Sequence, residues 1–411
     1  MRCRHCSADL SLTLIHLGNS PPSNAYLSEA ALSAPEQYFP LRVLVCSRCW
    51  LAQTEDYANR DALFTPDYAY YSSFSATTLA HAETFVAEAV GRFGIDKQSC
   101  VVEVAANDGY LLQYVQAYGI PCYGVEPTKS TAAAARAKGL DIIEDFFGMA
   151  LAEKLADEGR KADLMVANNV LAHVPDINDF VAGFAHLLKP RGVASFEFPH
   201  LLRLVEGNQF DTIYHEHYSY LSLHTIRTVF AANDLQNFDV EELSVHGGSL
   251  RVWAQRRDTG DRQQTGRVEV LLRAEERAGM LTQDFYHGFQ KKADKIKNEL
   301  LRFLLDAWRD GKKIVAYGAA AKGNTLLNYA GVRSDLLPFV VDLNPAKQNR
   351  FLPGSHIPVV GEAPLREIKP DYLLILPWNL RKEITSQLSY VAHWGGHFVV
   401  AVPQLEVWRA G

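Results

Sequence analysis

The stretch CVVEVAANDGYLLQYVQAYGIPCYGVEP, residues 100–127, decides the fold prediction. It starts with a β-branched run that ends in a polar turn, continues with apolar residues at helical spacing, and ends in a second short apolar run. The alternation continues along the chain, with further predicted strands within residues 141–147, 162–176 and 192–200. Strands that alternate with helices predict a parallel, doubly wound α/β sheet.

Two different units flank this sheet. Residues 1–68 hold four cysteines and a short alternating strand at 38–46. A unit this small buries little apolar surface, so it needs a stabilising cross-link in order to fold. Downstream, a long amphipathic helix at 291–311 precedes a second run of alternating strands and helices. We therefore predict an N-terminal domain at 1–68, a central α/β domain at 69–285 and a C-terminal α/β domain at 286–411.

The composition is that of a globular protein. The 411 residues are 48% hydrophobic and 21% charged, and 41 basic against 47 acidic residues give a net charge of −6. This balance argues against a non-specific nucleic-acid binder, which shows a basic surplus. The start, MRCRHCSADL, lacks the apolar core of a signal peptide, and no stretch of about 18 apolar residues predicts a membrane span. We expect a soluble, cytoplasmic protein without nucleic-acid or membrane partners.

Four of the six cysteines form two C-x-x-C pairs, Cys3 with Cys6 and Cys46 with Cys49. Each pair can form a tight turn whose sulfurs converge on one ion, and four thiolates complete a structural zinc site. In a long cytosolic chain this spacing favours metal over disulfides. A pair of redox dithiols is the alternative, but neither pair lies beside a βαβ pattern. His5, between two of the ligands, is expected to be a bystander.

Acidic side chains recur where the predicted parallel strands end. Glu103 lies on the first strand, and Glu126 ends the second, where its two oxygens can accept both hydroxyls of a ribose. Ligands of doubly wound sheets bind at this edge, whereas the missing G-x-G-x-x-G disfavours a dinucleotide. The pattern predicts an adenosine-type cofactor, with plain surface acids as the alternative. The predicted cofactor residues are Glu103, Asn107, Asp108, Gly109, Glu126, Pro127, Asp145 and Phe146.

TIYHEHYSYLS, residues 212–222, is the most unusual segment, because histidines, a glutamate and tyrosines crowd together after the fifth strand. Histidine titrates near neutral pH and can take a proton, while glutamate and tyrosine can orient it or hold a substrate oxygen. The alternatives are a second metal site, which the missing H-E-x-x-H disfavours, and a hydrated loop without chemistry. The predicted catalytic residues are Tyr214, Glu216, His217 and, on the fourth-strand loop, His173.

Two further segments combine small residues with positive charge. HGGSLR, residues 246–251, is a glycine-rich turn that can approach a ligand closely. YGAAAKGNT, residues 317–325, is a turn from strand to helix whose backbone N–H groups and Lys322 can hold phosphates. A structural domain with ordinary turns is the alternative. The predicted substrate residues are His246, Gly248, Ser249, Arg251, Tyr317, Gly318, Lys322, Asn324, Thr325, Asp342, Lys347, Arg350 and Trp378.

The order of these motifs resembles class I S-adenosylmethionine methyltransferases. In that family the first strand carries an E-x-G-x-G-x-G-like motif, and here Ala105 and Asn107 replace glycines. The resemblance implies that Glu126 binds the ribose of S-adenosylmethionine. It also adds Ala105 and Asn168 to the cofactor residues, with Asn168 beside the methionine portion.

More specifically, the double C-x-x-C, DYAYYSSFS, AANDGYLL, VEP, NNVLAHV, YHEHYSY, YGAAAKGNT and VDLNPAKQNRFLPGSHIPV are similar to sugar C-methyltransferases of deoxysugar biosynthesis, over essentially the whole chain. Those enzymes methylate C3, or in some cases C5, of a dTDP-linked 4-keto-6-deoxysugar. The resemblance implies that His217 is the general base. It implies that Tyr214, Glu216 and His173 bind or polarise the sugar, and that Tyr70 closes over the cofactor.

The same resemblance implies a zinc-binding domain, a Rossmann-like class I methyltransferase domain and a second Rossmann-like domain for the nucleotide sugar, in a monomer. Many relatives have Gly where Asn349 stands. The chemistry suits the residue types, because a ketone acidifies the adjacent C–H and donors at its oxygen stabilise the enolate. The alternatives are an O- or N-methyltransferase acting on a nucleotide sugar or another small polar metabolite, and a zinc-ribbon adaptor without catalysis.

Overall fold

The computed structural model describes residues 1–57 and 71–410. Across these residues the chain forms a four-stranded N-terminal sheet, a seven-stranded central sheet and a seven-stranded C-terminal sheet. The predicted boundary at 68/69 lies outside the described residues, and that at 285/286 falls within the helix Gln283–Tyr286, so both stay predictions. In the described part of the chain, no helix is both long and apolar enough to cross a membrane.

The N-terminal sheet is antiparallel. It consists of β1 (Leu12–Ser20), β2 (Phe39–Val45), β3 (Ala52–Thr54) and β9 (Ser219–Tyr220), in that order. β2 confirms the strand predicted at residues 38–46. Since β9 pairs with β3, with Ala52 opposite Tyr220, the N-terminal sheet ends on a strand of the central domain.

The central sheet has the predicted doubly wound core. Strands β4 (Val101–Val104), β5 (Cys122–Val125), β6 (Ile142–Ile143), β7 (Ala162–Asn168) and β8 (Leu188–Pro199) are parallel, in the order β6-β5-β4-β7-β8. All residues of β4 are buried, as expected of a strand covered on both faces. Beyond β8, the sheet continues with antiparallel β11 (Ser249–Arg256) and β10 (Leu235–Leu243), which the sequence patterns did not predict.

Helices cover both faces of this sheet and form two apolar cores. The helix Ala76–Phe93 begins where the Ser75 hydroxyl accepts the N–H of Thr78, and it ends at Gly94 in the left-handed conformation. The other helices of the domain are Leu112–Ala117, Lys129–Ala137, Met149–Asp157, Ile177–Leu187, Leu201–Glu206, Leu223–Ala232 and Gly266–Arg277.

The C-terminal sheet repeats the alternation and confirms the second α/β unit. β12 (Ile314–Tyr317), β13 (Val340–Val341), β15 (Pro358–Val360), β16 (Tyr372–Ile375) and β17 (His397–Val400) are parallel, while β14 (Arg350–Phe351) and β18 (Glu406–Arg409) pair antiparallel at the edges. The helices of this part are Gln283–Tyr286, Phe289–Arg309, Ala321–Ala330, Ala363–Ile368 and Arg381–Gln387.

One apolar core joins the N-terminal sheet to the other two domains. Ile15 and Val43 of the N-terminal sheet belong to the same buried cluster as Phe210 of the central domain and Leu300 of the helix Phe289–Arg309. Burial of shared apolar surface is the main favourable term in domain association. The three domains are therefore packed against one another rather than loosely tethered.

Candidate active site

The turn after β4 has a glycine-like backbone at positions where glycine is missing. Ala105, Asn107 and Gly109 have φ of 58°, 49° and 75°, in the left-handed region that favours glycine. Gly109 is also sterically required, because a Cβ there would lie 2.3 Å from the side chain of Leu140. The turn therefore keeps the close backbone approach of a glycine-rich motif, at the cost of strain at Ala105.

Three buried side chains near this turn have oxygen atoms without a hydrogen-bond partner among the described residues. They are both carboxyl oxygens of Glu103, Oδ1 of Asp108 and Oδ1 of Asn168. Burial, followed by the charges of Glu126 and Asp108, raises the pKa of Glu103 well above its ordinary value. Because unpaired buried acceptors are unfavourable, this edge fits a ligand that brings N–H and O–H donors, as an adenosyl amino acid does.

Glu126 is fixed at the same edge by its neighbours. Its carboxylate accepts the backbone N–H groups of Asn107 and Thr128, at 2.9 Å each. The hydroxyl of Thr128 also donates to Oε1, and that of Thr131 does so at 3.0 Å. The backbone donors orient the carboxylate, while the hydroxyls are rotatable and can give way to ribose hydroxyls.

Two serines that the sequence did not single out cover this turn. The backbone N–H of Ser72 donates to Oδ1 of Asn107 at 2.9 Å, and the Ser73 hydroxyl donates to the carboxylate of Asp108. Tyr70, predicted to close over the cofactor, lies outside the described residues. The outermost predicted cofactor residues, which are half-buried or exposed, are Pro127, Phe146 and Asp145.

His217 lies in the segment that leads into β9. Its Nδ1 is 2.9 Å from the carbonyl oxygen of Thr212, and since a carbonyl only accepts, Nδ1 carries the proton and Nε2 has the lone pair. The rings of Tyr214 and His173 lie 4.0 Å and 4.6 Å from the imidazole, centroid to centroid. Burial, followed by the proximity of His173, lowers the pKa of His217 well below 6.5. The ring is therefore a neutral proton acceptor at neutral pH.

The neighbouring histidine faces away from this group. Nε2 of His215 lies 3.3 Å from the carbonyl oxygens of Phe39 and Pro40 in the N-terminal sheet. Within the described residues, the set of side chains placed to share a metal ion is the four N-terminal cysteines. The H-E-H sequence thus gains no support as a second metal site.

Glu216 is held by a residue that the sequence did not identify. The side-chain amide of Asn24 donates to Oε1 of Glu216 at 2.7 Å. The carbonyl of the preceding Ser23 accepts the amide of Asn324 at 2.6 Å. Asn324, predicted to bind substrate, is fully buried and supports the loop that carries Asn24. The PPSNAYL stretch showed only loop character, so no sequence signal pointed to Asn24.

Both flanking domains hold residues 211–217, which carry the predicted base and are called the catalytic segment below. The contacts are side-chain hydrogen bonds from Thr54 to the His217 carbonyl (2.9 Å), from Thr325 to the Ile213 carbonyl (2.9 Å) and from the Trp378 indole to Oδ2 of Asp211 (2.7 Å). Thr325 and Trp378 were predicted to bind substrate, whereas Thr54 and Asp211 were not singled out. The position of the predicted base thus depends on residues far away in sequence.

The HGGSLR turn lies beside the end of β8. His246 has φ of 55°, and burial lowers its pKa to about 4. Arg251 is buried, and its guanidinium lies 3.2 Å from the carboxylates of Glu197 and Glu241. The charge of Arg251 is therefore matched within the protein. Between these two residues lie Gly248, at φ of 115°, and the buried Ser249.

The predicted phosphate turn of the C-terminal domain is partly filled by protein groups. Gly318 has φ of 87°, and a Cβ there would lie 2.4 Å from Pro377. The N–H of Ala319 donates to Asp342 at 2.8 Å, and Nζ of Lys347 donates to the Ala319 carbonyl at 2.8 Å. These contacts place Asp342 and Lys347 at the predicted turn. Of the remaining residues predicted here, Tyr317 is buried and Arg350 is exposed.

The four cysteines converge as predicted, with their Sγ atoms all within 4.8 Å of one another. Sγ of Cys3 lies 3.5 Å from that of Cys49, and Sγ of Cys6 lies 3.5 Å from that of Cys46. Four thiolates around zinc at 2.3 Å have sulfurs about 3.8 Å apart, so the donor set fits one zinc ion. The amide of Gln53 lies 3.3 Å from Sγ of Cys3, one residue before the threonine that holds His217.

Family models match all three parts of the chain. They describe a zinc binding domain at residues 3–64, a methyltransferase domain at 78–240 and a C-methyltransferase C-terminal domain at 244–403.

Individual proteins match to very different extents. The chain is 32% identical to C-methyltransferase NovU of Streptomyces niveus over 405 residues, which cover 98% of this chain and 96% of that protein. The ubiquinone biosynthesis O-methyltransferase of Bartonella quintana is 30% identical over 95 residues, 23% of this chain and 38% of that protein. Among solved structures, magnesium protoporphyrin IX methyltransferase of Synechocystis with bound SAM matches 43% of this chain and 79% of its own at 16% identity, with a TM-score of 0.34.

Proposed function

The chain belongs to the C-methyltransferases that depend on S-adenosylmethionine and carry an N-terminal zinc-binding domain, and we propose that it methylates C3 of a nucleotide-linked 4-keto-6-deoxysugar. The proposed substrate is dTDP-linked, the proposed pathway is deoxysugar biosynthesis, and the proposed active form is a monomer. The observation that carries the proposal is the neutral imidazole of His217 beside the carboxyl edge of the methyltransferase sheet. Methyl transfer to carbon needs such a base, because the carbon must first lose a proton.

S-adenosylmethionine, when bound, supplies an electrophilic methyl group on a sulfonium. The partnerless oxygens of Glu103, Asp108 and Asn168 would accept its ammonium and hydroxyl donors. Glu126, oriented by two backbone N–H groups, would accept the ribose hydroxyls. The left-handed turn at residues 105–109 brings the backbone close to the same ligand.

Nε2 of His217 takes the proton from the carbon next to the ketone. The Thr212 carbonyl, which accepts Nδ1–H, stabilises the imidazolium that results and keeps the ring in one tautomer. Tyr214 and His173, whose rings contact that of His217, bind or polarise the sugar together with Glu216. His217, the base, is therefore neutral until it takes the proton from the substrate.

The remaining two domains would serve binding and support. The C-terminal turn with Gly318, Asp342 and Lys347 would take the nucleotide part of the substrate, because it lies at strand ends of the C-terminal sheet. The four cysteines would fill all four positions of a bound zinc ion, which would give it a structural rather than catalytic role.

A direct test is mass spectrometry and NMR of the purified enzyme incubated with S-adenosylmethionine and a panel of 4-keto sugar nucleotides. We expect one added methyl group, bonded to the carbon next to the ketone, and S-adenosylhomocysteine as co-product. In D₂O without methyl donor, the same C–H should exchange, whereas the matched 4-hydroxy sugars should not. Methyl on oxygen or nitrogen, or no exchange with any keto sugar, would contradict the proposal.

A further inference from the structure

Lys322 places an ammonium group near the catalytic segment without an ion-paired carboxylate among the described residues. Its Nζ donates to the neutral Oδ1 of Asn379 at 2.7 Å and lies 4.8 Å from the centre of the Trp378 ring. Among the ion pairs formed within residues 1–57 and 71–410, none includes Lys322. Burial lowers the pKa of Lys322, and the charge of Asp211 opposes that shift. A desolvated cation with spare N–H donors is suited to bind an anionic oxygen.

The surroundings of Trp378 fix Lys322 on the methyltransferase side of the C-terminal domain. The indole N–H donates to Asp211, at the start of the catalytic segment, at 2.7 Å. The edge of the same indole lies against the turn that follows His246, where a Cβ on Gly247 would come within 2.6 Å of it. The ammonium above this indole therefore lies between the catalytic segment and the HGGSLR turn.

The helix that carries Lys322 is tied to the same segment independently. Thr325, one turn further along the helix, donates its hydroxyl to the carbonyl of Ile213 at 2.9 Å. The charge of Lys322 contributes to the low pKa of both His217 and His246, which agrees with its position between them. Lys347, by contrast, lies 3.7 Å from Asp342 at the predicted nucleotide turn.

We propose that the ammonium of Lys322 donates a hydrogen bond to the ketone oxygen of the sugar and stabilises the enolate. This assignment rests on the proposed function. As Nε2 of His217 bonds the proton, the C–H electron pair forms the C=C bond and the π pair of the ketone moves onto its oxygen. Lys322 stays protonated throughout and offers its hydrogen bond to the charge that develops there. The role differs from that of a phosphate ligand, which would act on binding of the nucleotide.

The test compares wild type with Lys322→Met and Lys322→Arg, and uses exposed Lys382→Met as the matched control. Two quantities are measured for each: deuterium exchange next to the ketone at saturating sugar nucleotide, and the affinity for dTDP alone by calorimetry. Loss of one such donor typically costs about 10²- to 10³-fold in rate. We expect that loss in Lys322→Met, a smaller loss in Lys322→Arg, and dTDP affinity unchanged in both.

Several outcomes separate the possibilities. The assignment would be overturned if Lys322→Met exchanged deuterium at the wild-type rate. A tenfold loss of dTDP affinity with exchange retained would also overturn it, and would indicate that Lys322 contacts the diphosphate. Failure of wild type to exchange any keto sugar would instead overturn the proposed function. Removing the charge should also raise the pKa of His217, so the acid limb of residual exchange should move to higher pH. If Lys322→Met fails to fold, Lys322→Arg gives the same pair of readouts, and an unchanged rate would count against the assignment.

Discussion

The cofactor edge and the catalytic segment belong to the same central domain but are built in opposite ways. The acceptors of the cofactor edge come from successive strand ends of one domain, between Glu103 and Asn168. The segment at residues 211–217 is held by Thr54 from the N-terminal domain and by Thr325 from the C-terminal domain. Binding of the methyl donor and removal of the proton should therefore be separable by mutation, and the flanking domains should control the second.

The largest expected effect concerns the N-terminal domain, because structural zinc contributes on the order of 10 kcal/mol to folding of small zinc modules. Cys46→Ser should lose zinc and destabilise the sheet that carries Thr54. We expect insoluble protein, or soluble protein with little turnover and a clearly lower Tm, by metal analysis and calorimetry. The control is Cys100→Ser, outside the cluster. A zinc-free, fully active Cys46→Ser enzyme would show that the zinc-binding domain does not control the catalytic segment.

Replacing the base should separate the two regions most cleanly. His217→Asn keeps a side-chain N–H that can reach the Thr212 carbonyl but lacks the basic Nε2. Loss of general base catalysis is expected to lower turnover and deuterium exchange about 10²- to 10⁴-fold, with affinity for S-adenosylmethionine unchanged.

The matched control is His215→Asn, because His215 faces the N-terminal sheet rather than the rings around His217. It should retain exchange even if it lowers stability. Equal loss of exchange in both variants would mean that His217 is required only for folding of the segment.

The cofactor edge was predictable because its signal is local. The same pattern recurs strand by strand: a β-branched run is followed by a polar turn and an acidic residue. This pattern alone predicts which side chains meet at the carboxyl edge of the sheet. The backbone was less obvious, since Ala105 and Asn107 replace glycines. Both adopt positive φ all the same, as does Asn349 at φ of 61° in the C-terminal domain. Asparagine tolerates this region better than most residues, so its substitution for glycine preserves the turn.

The support of the catalytic segment was not predictable, because it depends on pairing across domains. Nothing in PPSNAYL indicates that Asn24 reaches Glu216, and nothing near β3 indicates that it pairs with a two-residue strand 165 residues later. Arg251 illustrates the same limit. Its position in a glycine-rich turn suggested a ligand contact, whereas in the structure its guanidinium forms ion pairs with two carboxylates on neighbouring strands.

A mutation at the cofactor edge should show the opposite pattern to the base. Glu126→Ala removes a carboxylate whose hydrogen bonds to a ligand are worth about 1.5–3 kcal/mol each. We expect the Kd for S-adenosylmethionine to rise about 10- to 100-fold. Exchange at the sugar carbon, measured without methyl donor, should remain at the wild-type rate.

Exposed Glu144 lies near the same edge, and Glu144→Ala should change neither quantity. If Glu126→Ala abolished exchange as well, cofactor binding and proton removal would not be separable in the way that the geometry implies.

A smaller effect is expected from the contact between Asn24 and Glu216. Asn24→Ala removes one partly buried hydrogen bond to a carboxyl group, which costs about 1–3 kcal/mol. If Glu216 polarises the sugar, most of this cost should appear in kcat, about tenfold, with the Kd for S-adenosylmethionine unchanged. Asn19→Ala, at an exposed position of β1, is the control from the same domain. An effect of Asn24→Ala on thermal stability alone would make the contact structural.

The smallest effect concerns pH, and it tests whether the catalytic segment is as desolvated as its geometry indicates. Burial, followed by the proximity of His173, Lys322 and His246, lowers the pKa of His217 well below 6.5. His173 itself has a pKa lowered to about 4 by burial, so neither ring is charged near neutral pH. A general base works only when neutral, so exchange should be lost as pH falls through the pKa of His217. The acid limb of the exchange rate should therefore lie below pH 6.5, and the rate should change little between pH 6.5 and 8. An acid limb at or above 6.5 would mean that the imidazole contacts water freely, and the packing of three domains around it would then not be what sets its chemistry.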